Sequence, residues 1–324
     1  AGGERPIACA CHHDDAQTGN PANATLFYFA AAAESNYTVR INGAKYLRFH
    51  KLTMRSNNAN GATYSRIIDL MGGWDYLTID SSVLSGAPGA GGSGNQALVF
   101  TSTSVAYRSC VINKNTFTNG SFGVYLLGIG STALCKGTQV TNNTFATLYE
   151  GIFLQYHEAP VVSGDSITSA SYVGIDVEYC TNGIQVVKNK IILATGIYAI
   201  AVDYSAGGLG DLGNPPRALI ANNFIAMSSP SGTFGIQLYY STNVDLYQNS
   251  VNSTGGTNSS GLYLYGAAGN SVNLVNNIFS NPGGGTAVNI YTPTTVGTTD
   301  YNDVFTTGSY LAVWSRWLSG SDYA

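Results

Sequence analysis

Three carboxylates carry the chemistry open to this sequence: Asp176 and Glu178 in Gly174-Ile-Asp-Val-Glu178, and Asp203, 25 residues beyond Glu178. Alternate residues of a strand share one face, so Asp176 and Glu178 project together. Asp203 joins them only if the chain returns to that face one repeat later. Carboxylates meeting across one coil step, roughly 5 Å apart, raise one another's pKa, and that separates an acid from a base. About 5–5.5 Å suits a retaining glycosidase and about 6.5–9.5 Å an inverting one. With Gln155, the same three offer the oxygen ligands that Ca²⁺ prefers. His157 and Glu158 fall one repeat earlier, and His157 is a candidate to assist. Phe153, Tyr239, Tyr263 and Tyr265 flank the acids as apolar surfaces with polar tips, suited to sugar rings. Lys188, Lys190 and Arg217 would neutralise uronate carboxylates if their turn lies near this face.

Each of these has a plainer reading. An outward acid on a sheet is ordinarily solvated, a tyrosine column is cross-strand stacking, and His157 is a turn residue. Cys9-Ala-Cys-His-His13 has the residue types of a metal site, but its ordinary reading is alternating strand residues near a chain end. The five cysteines are odd in number and lack paired CxxC spacing, so no disulfide framework is implied.

The elements that must position the acids are legible as a repeat. One phrase recurs as Asn115-Thr-Phe117, Asn143-Thr-Phe145, Asp165-Ser-Ile167, Asn189-Lys-Ile191, Asn223-Phe-Ile225, Asn249-Ser-Val251 and Asn277-Ile-Phe279, at steps of 28, 22, 24, 34, 26 and 28. A second phrase follows each of the first six, as in Gly151-Ile-Phe-Leu154 and Gly235-Ile-Gln-Leu238. Both alternate apolar and other residues, the period of a half-buried strand, with turn formers between them. A unit of about 26 residues cannot bury its apolar face alone and must stack on a copy of itself. The fold class is therefore all-β, a right-handed parallel β-helix of about a dozen coils, some 55–60 Å long at the usual strand spacing. A propeller needs longer antiparallel blades, and the leucine-rich spacing is missing. The asparagines fall in one column at a turn, where each can bond its neighbours above and below.

Aligned on the second phrase, the first outward column reads Asp69, Val99, Tyr125, Phe153, Asp176, Ala201, Gln237, Tyr263, Asn289. The next reads Met71, Thr101, Leu127, Gln155, Glu178, Asp203, Tyr239, Tyr265, Tyr291. Residues 1–37 read as irregular first coils, 38–310 as regular coils and 311–324 as the end of the solenoid, in one domain. Gly86–Gly94 and Ser205–Arg217 read as loops leaving the rod, the second a candidate wall for the acids.

Composition excludes several classes. Net charge is −4, which gives no basic field for nucleic acid. No apolar run is long enough to span a membrane. Gly-x-Ser-x-Gly and Gly-x4-Gly-Lys-Ser/Thr are absent. Gly207-Gly-Leu-Gly-Asp211 only approximates the β-roll calcium motif, once.

Asn36-Tyr-Thr-Val-Arg-Ile-Asn-Gly-Ala-Lys-Tyr-Leu-Arg-Phe-His-Lys-Leu-Thr-Met54 resembles the opening coil of the right-handed β-helix repeat proteins of Bacteroidota, and Thr299–Gly308 fits the same family. The resemblance implies a secreted or cell-surface protein, of a kind often carrying a type IX secretion tail. It says little of activity. Such proteins commonly carry Tyr at these outward positions, so the acids are a departure. The first dozen residues depart as well, and no sorting tail precedes Ala324, so the chain is expected to be a segment of a longer protein. Two functions remain open. One is a structural or adhesive rod contacting glycans or other subunits through its tyrosine-rich faces, with self-association through its faces or ends. The other is a polysaccharide lyase or hydrolase acting at the acids.

Overall fold

Each repeat contributes three short strands, because each apolar-alternating run is cut by a turn before it can extend. The computed structural model describes residues 25–28, 32–56, 62–88, 91–101, 106–205, 216–230, 232–266 and 271–314. Cys9, Cys11, His12 and His13, with most of the expected irregular start, lie outside them, as do 206–215 and 315–324. The strands form three parallel sheets of 11 strands each, the third a path of ten with the short His157–Glu158 strand beside it. The first runs from Thr25–Tyr28 to Asp303–Thr306, the second from Val39–Asn42 to Ala312–Trp314, the third from Lys45–His50 to Val296–Asp300. Each coil passes through first, second and third sheet in turn, and strands on each path pair with their counterparts on the next coil. Among the described residues no helix is long and apolar enough to cross a membrane.

Like stacks on like inside. The second sheet buries Ile152, Ile175, Ile200, Ile236 and Leu262 in one register column, each 0% exposed. In the first, Phe117 and Phe145 stack at 4.7 Å. Each such side chain contributes roughly 1.5–3 kcal/mol, but only when another coil covers it. The second phrase opens on glycine because backbones crowd there: a Cβ on Gly174 would lie 2.6 Å from the Ala199 carbonyl oxygen.

Two hydrogen-bond ladders fix the register. At the turn from third to first sheet, Asn189 donates its backbone N–H (3.0 Å) and its Nδ2 (3.1 Å) to Oδ1 of Asn223, one coil on. Its Nδ2 also donates to the Val162 carbonyl of the coil before, at 3.1 Å. Asn115, Asn143, Asn223, Asn249 and Asn277 repeat this pattern, and Asn302 extends it. The residue before each is left-handed, as at Asn142, Lys188 and Asn222 (φ 57°, 60° and 57°). The turn from second to third sheet carries a shorter ladder. There His157 N donates to Cys180 Sγ (3.3 Å), Cys180 N to Ser205 Oγ (3.0 Å) and Ser205 N to Ser241 Oγ (3.1 Å).

The early coils correct one expectation. Val99 pairs with Val124, and Thr101 with Leu70. Both point inward at 0% and 2% exposure, and Phe100 takes the outward place. A one-residue shift exchanges faces, and this strand lacks the glycine that marks the phrase in later coils.

Asp165 interrupts the asparagine ladder. Its Oδ1 accepts from Asn143 N (2.7 Å) and Nδ2 (2.9 Å), while its buried Oδ2 has no partner. Burial, against the pull of the Asn143 bonds, raises its pKa to about 8. A raised carboxyl contributes full stability below the unfolded value and loses it as pH climbs through the folded one. Asp165→Asn should therefore raise stability by about 1–3 kcal/mol at pH 8–9, with the gain shrinking towards pH 4. Thermal melts of both proteins across this range check it; a gain independent of pH would contradict it.

Candidate functional site

The outer face of the second sheet gathers the acids through register alone. Phe153, Asp176 and Ala201 are consecutive partners, as are Gln155, Glu178, Asp203, Tyr239 and Tyr265. Carboxylate oxygens of Asp176, Glu178 and Asp203 all lie within 4.8 Å of one another. Gln155 Nε2 donates to Glu178 Oε2 at 2.5 Å, and Gln237 Nε2 to Asp203 at 3.1 and 3.2 Å, so amides on the flanking coils hold the outer two acids.

A fourth acid belongs here that the phrase-based alignment passes over. Glu150 lies at the start of the same eight-residue strand, Leu148–Gln155, just before its glycine. It is 4% exposed, with Oε1 unpartnered, and Asp176 Oδ1 is buried and unpartnered as well. Burial, then the charges of Asp176 and Glu178, push the Glu150 carboxyl well above the usual range. Burial, then Glu178 and Asp203, do the same to Asp176. Asp203 rises to about 6, chiefly through burial, against the Gln237 hydrogen bond. The signal for Glu150 was an acid on a strand already assigned to this face.

Aromatic rows flank the cluster. Before it Phe100, Tyr125 and Phe153 stack at 4.8 and 4.7 Å; after it Tyr239 and Tyr265 stack at 5.1 Å, with Tyr291 tilted beyond. Tyr263 lies on the face beside them, against Phe234 at 4.9 Å. Along the corner, Tyr156, Tyr179, Tyr204 and Tyr240 stack at 5.3, 5.1 and 5.6 Å, all with positive φ. A left-handed tyrosine is sterically costly, and the shared stack offsets that cost. Neighbouring rings occupy the ring faces in these rows, so edges and hydroxyls are what a ligand meets.

Four sequence candidates lie elsewhere. His157 is fully buried in the corner ladder: Nδ1 contacts Thr138 Oγ1 (2.8 Å) and Nε2 the Leu126 carbonyl (3.2 Å). An inward ladder position places it away from the acids, so the assisting role is withdrawn. Lys188 occupies the turn from third to first sheet and Lys190 the first sheet, both remote from the second sheet's face. Arg217 is engaged by Asp245 at 2.7 Å, at the start of a third-sheet strand. Of the expected wall only Ser205, Pro216 and Arg217 are described. One hollow of about 340 Å³ is lined by Leu274, Phe279 and Trp314 at the last coils. Another, of about 410 Å³, is lined by Lys45, Asp75 and Arg108. Neither includes an acid of the cluster.

Residues 67–211 match the family model described as the right-handed beta helix region. The chain is a right-handed parallel β-helix. The match spans the coils of Asp176, Glu178 and Asp203 and ends inside the connection that follows them. No curated protein matches the β-helix.

Burial lowers the His157 pKa to about 4. A depressed histidine leaves stability intact above the unfolded value near 6.5 and removes it as pH falls toward the folded one. Urea unfolding should show the β-helix losing roughly 3 kcal/mol between pH 6.5 and 4 through this residue. His157→Gln should remove that share of the slope; an unchanged slope would contradict the buried, neutral assignment.

Proposed function

We propose that this β-helix is a structural or adhesive segment of an exported or cell-surface protein, and that the outer face of its second sheet contacts glycan. One observation carries the reading: a row of carboxylates with no ion pair among the described residues lies between aromatic rows on a single sheet face, with tyrosines repeating at the coil spacing. Tyrosine edges and hydroxyls at about 5 Å intervals come close to the length of one sugar ring along an extended polysaccharide. Carboxylates and amides between them supply acceptors and donors for sugar hydroxyls. Support for export comes from the resemblance of 36–54 to the opening coil of exported Bacteroidota proteins.

A second reading, a polysaccharide lyase or glycoside hydrolase, is favoured by the mutual proximity of Asp176, Glu178 and Asp203 within 4.8 Å. Chemistry there would use one carboxyl as acid and another as base. Neither His157 nor the basic residues named above take part in it.

Affinity electrophoresis against acidic and neutral polysaccharides separates the two. Retardation without product, weakened about five- to tenfold by Tyr239→Ala or Tyr265→Ala, roughly 1–1.4 kcal/mol per ring, is the expected outcome. Reducing ends or unsaturated products that vanish in a Glu178→Gln, Asp203→Asn double variant would establish the enzyme instead. Neither retardation nor product from any polysaccharide would end the glycan reading.

A further inference from the structure

Apart from Asp300 and Asp303, exposed on strands of the last coils, the carboxylates on the sheet faces divide into two sets. Asp69 is bound by Arg40 and Arg66, Asp75 by Lys45, Asp80 by Arg48 and His50, Glu158 by Lys136 and Asp245 by Arg217, all at 2.6–2.9 Å. Glu150, Asp176, Glu178 and Asp203 form no ion pair among the described residues. Asp69 makes the contrast sharp, since it sits in the same register column as Asp176 and is fully buried between the guanidinium groups of Arg40 and Arg66.

Four acids on three adjacent coils without a counter-charge repel one another strongly at low dielectric. Two of their oxygens, Glu150 Oε1 and Asp176 Oδ1, are moreover buried without a hydrogen-bond donor. A buried carboxylate oxygen with no donor is a costly feature unless something outside the chain satisfies it. We propose that Asp176, Glu178 and Asp203 bind a divalent cation of the calcium type on the outer face of the second sheet, with Glu150 as the flanking charge. Hard oxygen donors without sulfur or imidazole select Ca²⁺, Mg²⁺ or Mn²⁺ over zinc or copper. Oxygens within 4.8 Å of one another can be bridged by two Ca²⁺–O bonds of about 2.3–2.6 Å. Mg²⁺ demands near-octahedral ligands at about 2.0–2.1 Å, a tighter fit than oxygens spread over as much as 4.8 Å offer. Gln155 and Gln237 hold Glu178 and Asp203 from either side, so two of the ligands are oriented before the ion arrives. The outer side of the ion stays open to water. This site stands whether or not the face binds glycan.

The test uses the full chain after chelator treatment, with Tb³⁺ as the probe and tyrosine excitation, since tyrosines flank the site. Expected are saturable Tb³⁺ emission at one ion per chain, displacement by Ca²⁺ at lower concentration than by Mg²⁺, and a melting temperature that rises with CaCl₂. Glu178→Gln and Asp203→Asn should each weaken Ca²⁺ at least tenfold. Glu150→Gln should weaken it less, and Glu158→Gln, in an ordinary ion pair, not at all. Circular dichroism confirms that each variant is folded. Absence of saturable emission with no calcium-dependent melting shift would overturn the proposal. So would equal binding by wild type, Glu178→Gln and Asp203→Asn. Variants that melt higher than a calcium-insensitive wild type would overturn it as well, by showing that protons alone neutralise the cluster.

Discussion

Everything in this molecule depends on hydrogen bonds that run from coil to coil along its axis. A single repeat of about 26 residues has three strands, no closed core and two turns full of unpaired backbone groups. Placed on a copy of itself, all three strands find partners, the apolar columns are covered, and asparagine side chains close the turn from third to first sheet. Asn189 illustrates the economy of the device, contacting the coil before and the coil after with one amide. Because the side-chain period of a strand is two, this ladder also decides which residues face outward. The acids meet for the same reason the isoleucines do.

Much of this was legible in the sequence because the repeat is visible wherever the ladder residue is Asn and the next strand opens on Gly. Across Asn115–Asn277 both signals hold except at Asp165 in the ladder and Ala199 in the glycine place, and the outward columns read from them match the pairing of Phe153 with Asp176 and of Glu178 with Asp203. The early coils lose both: Ser82 stands in the ladder position, donating its N–H to Asn115 Oδ1. Without the glycine, the phrase places the strand at Val99 one residue out of its true register. Glu150 precedes the glycine, where the strand of Leu148–Gln155 extends further than its phrase, so the repeat carries no sign of it. His157 departs from expectation for a different reason. A histidine at a corner is expected in solvent, yet here the corner holds a second ladder, and its members His157, Cys180, Ser205 and Ser241 share no residue type that would mark a column.

Charge is distributed along the rod by position rather than by amount. Five face acids are matched by basic side chains from neighbouring coils, which is ordinary cross-strand pairing. In the middle of the second sheet that pairing stops, aromatic rows begin on either side, and burial raises the pKa of Asp176 and Asp203. Stability alone gives no reason for such an arrangement, since replacing one acid by an amide would relieve the repulsion. A face built against stability is where a ligand would act, and both the glycan and the cation proposals rest on it.

The account stands on coil-to-coil register, and a double-mutant cycle across one ladder step measures it directly. Asn189→Ala, Asn223→Ala and the double variant, unfolded in urea, should show a coupling energy of about 1–2 kcal/mol. Asn143→Ala with Asn249→Ala, which do not bond each other, should be additive. Equal coupling in the two cycles would contradict the stacking that places Glu178 beside Asp203.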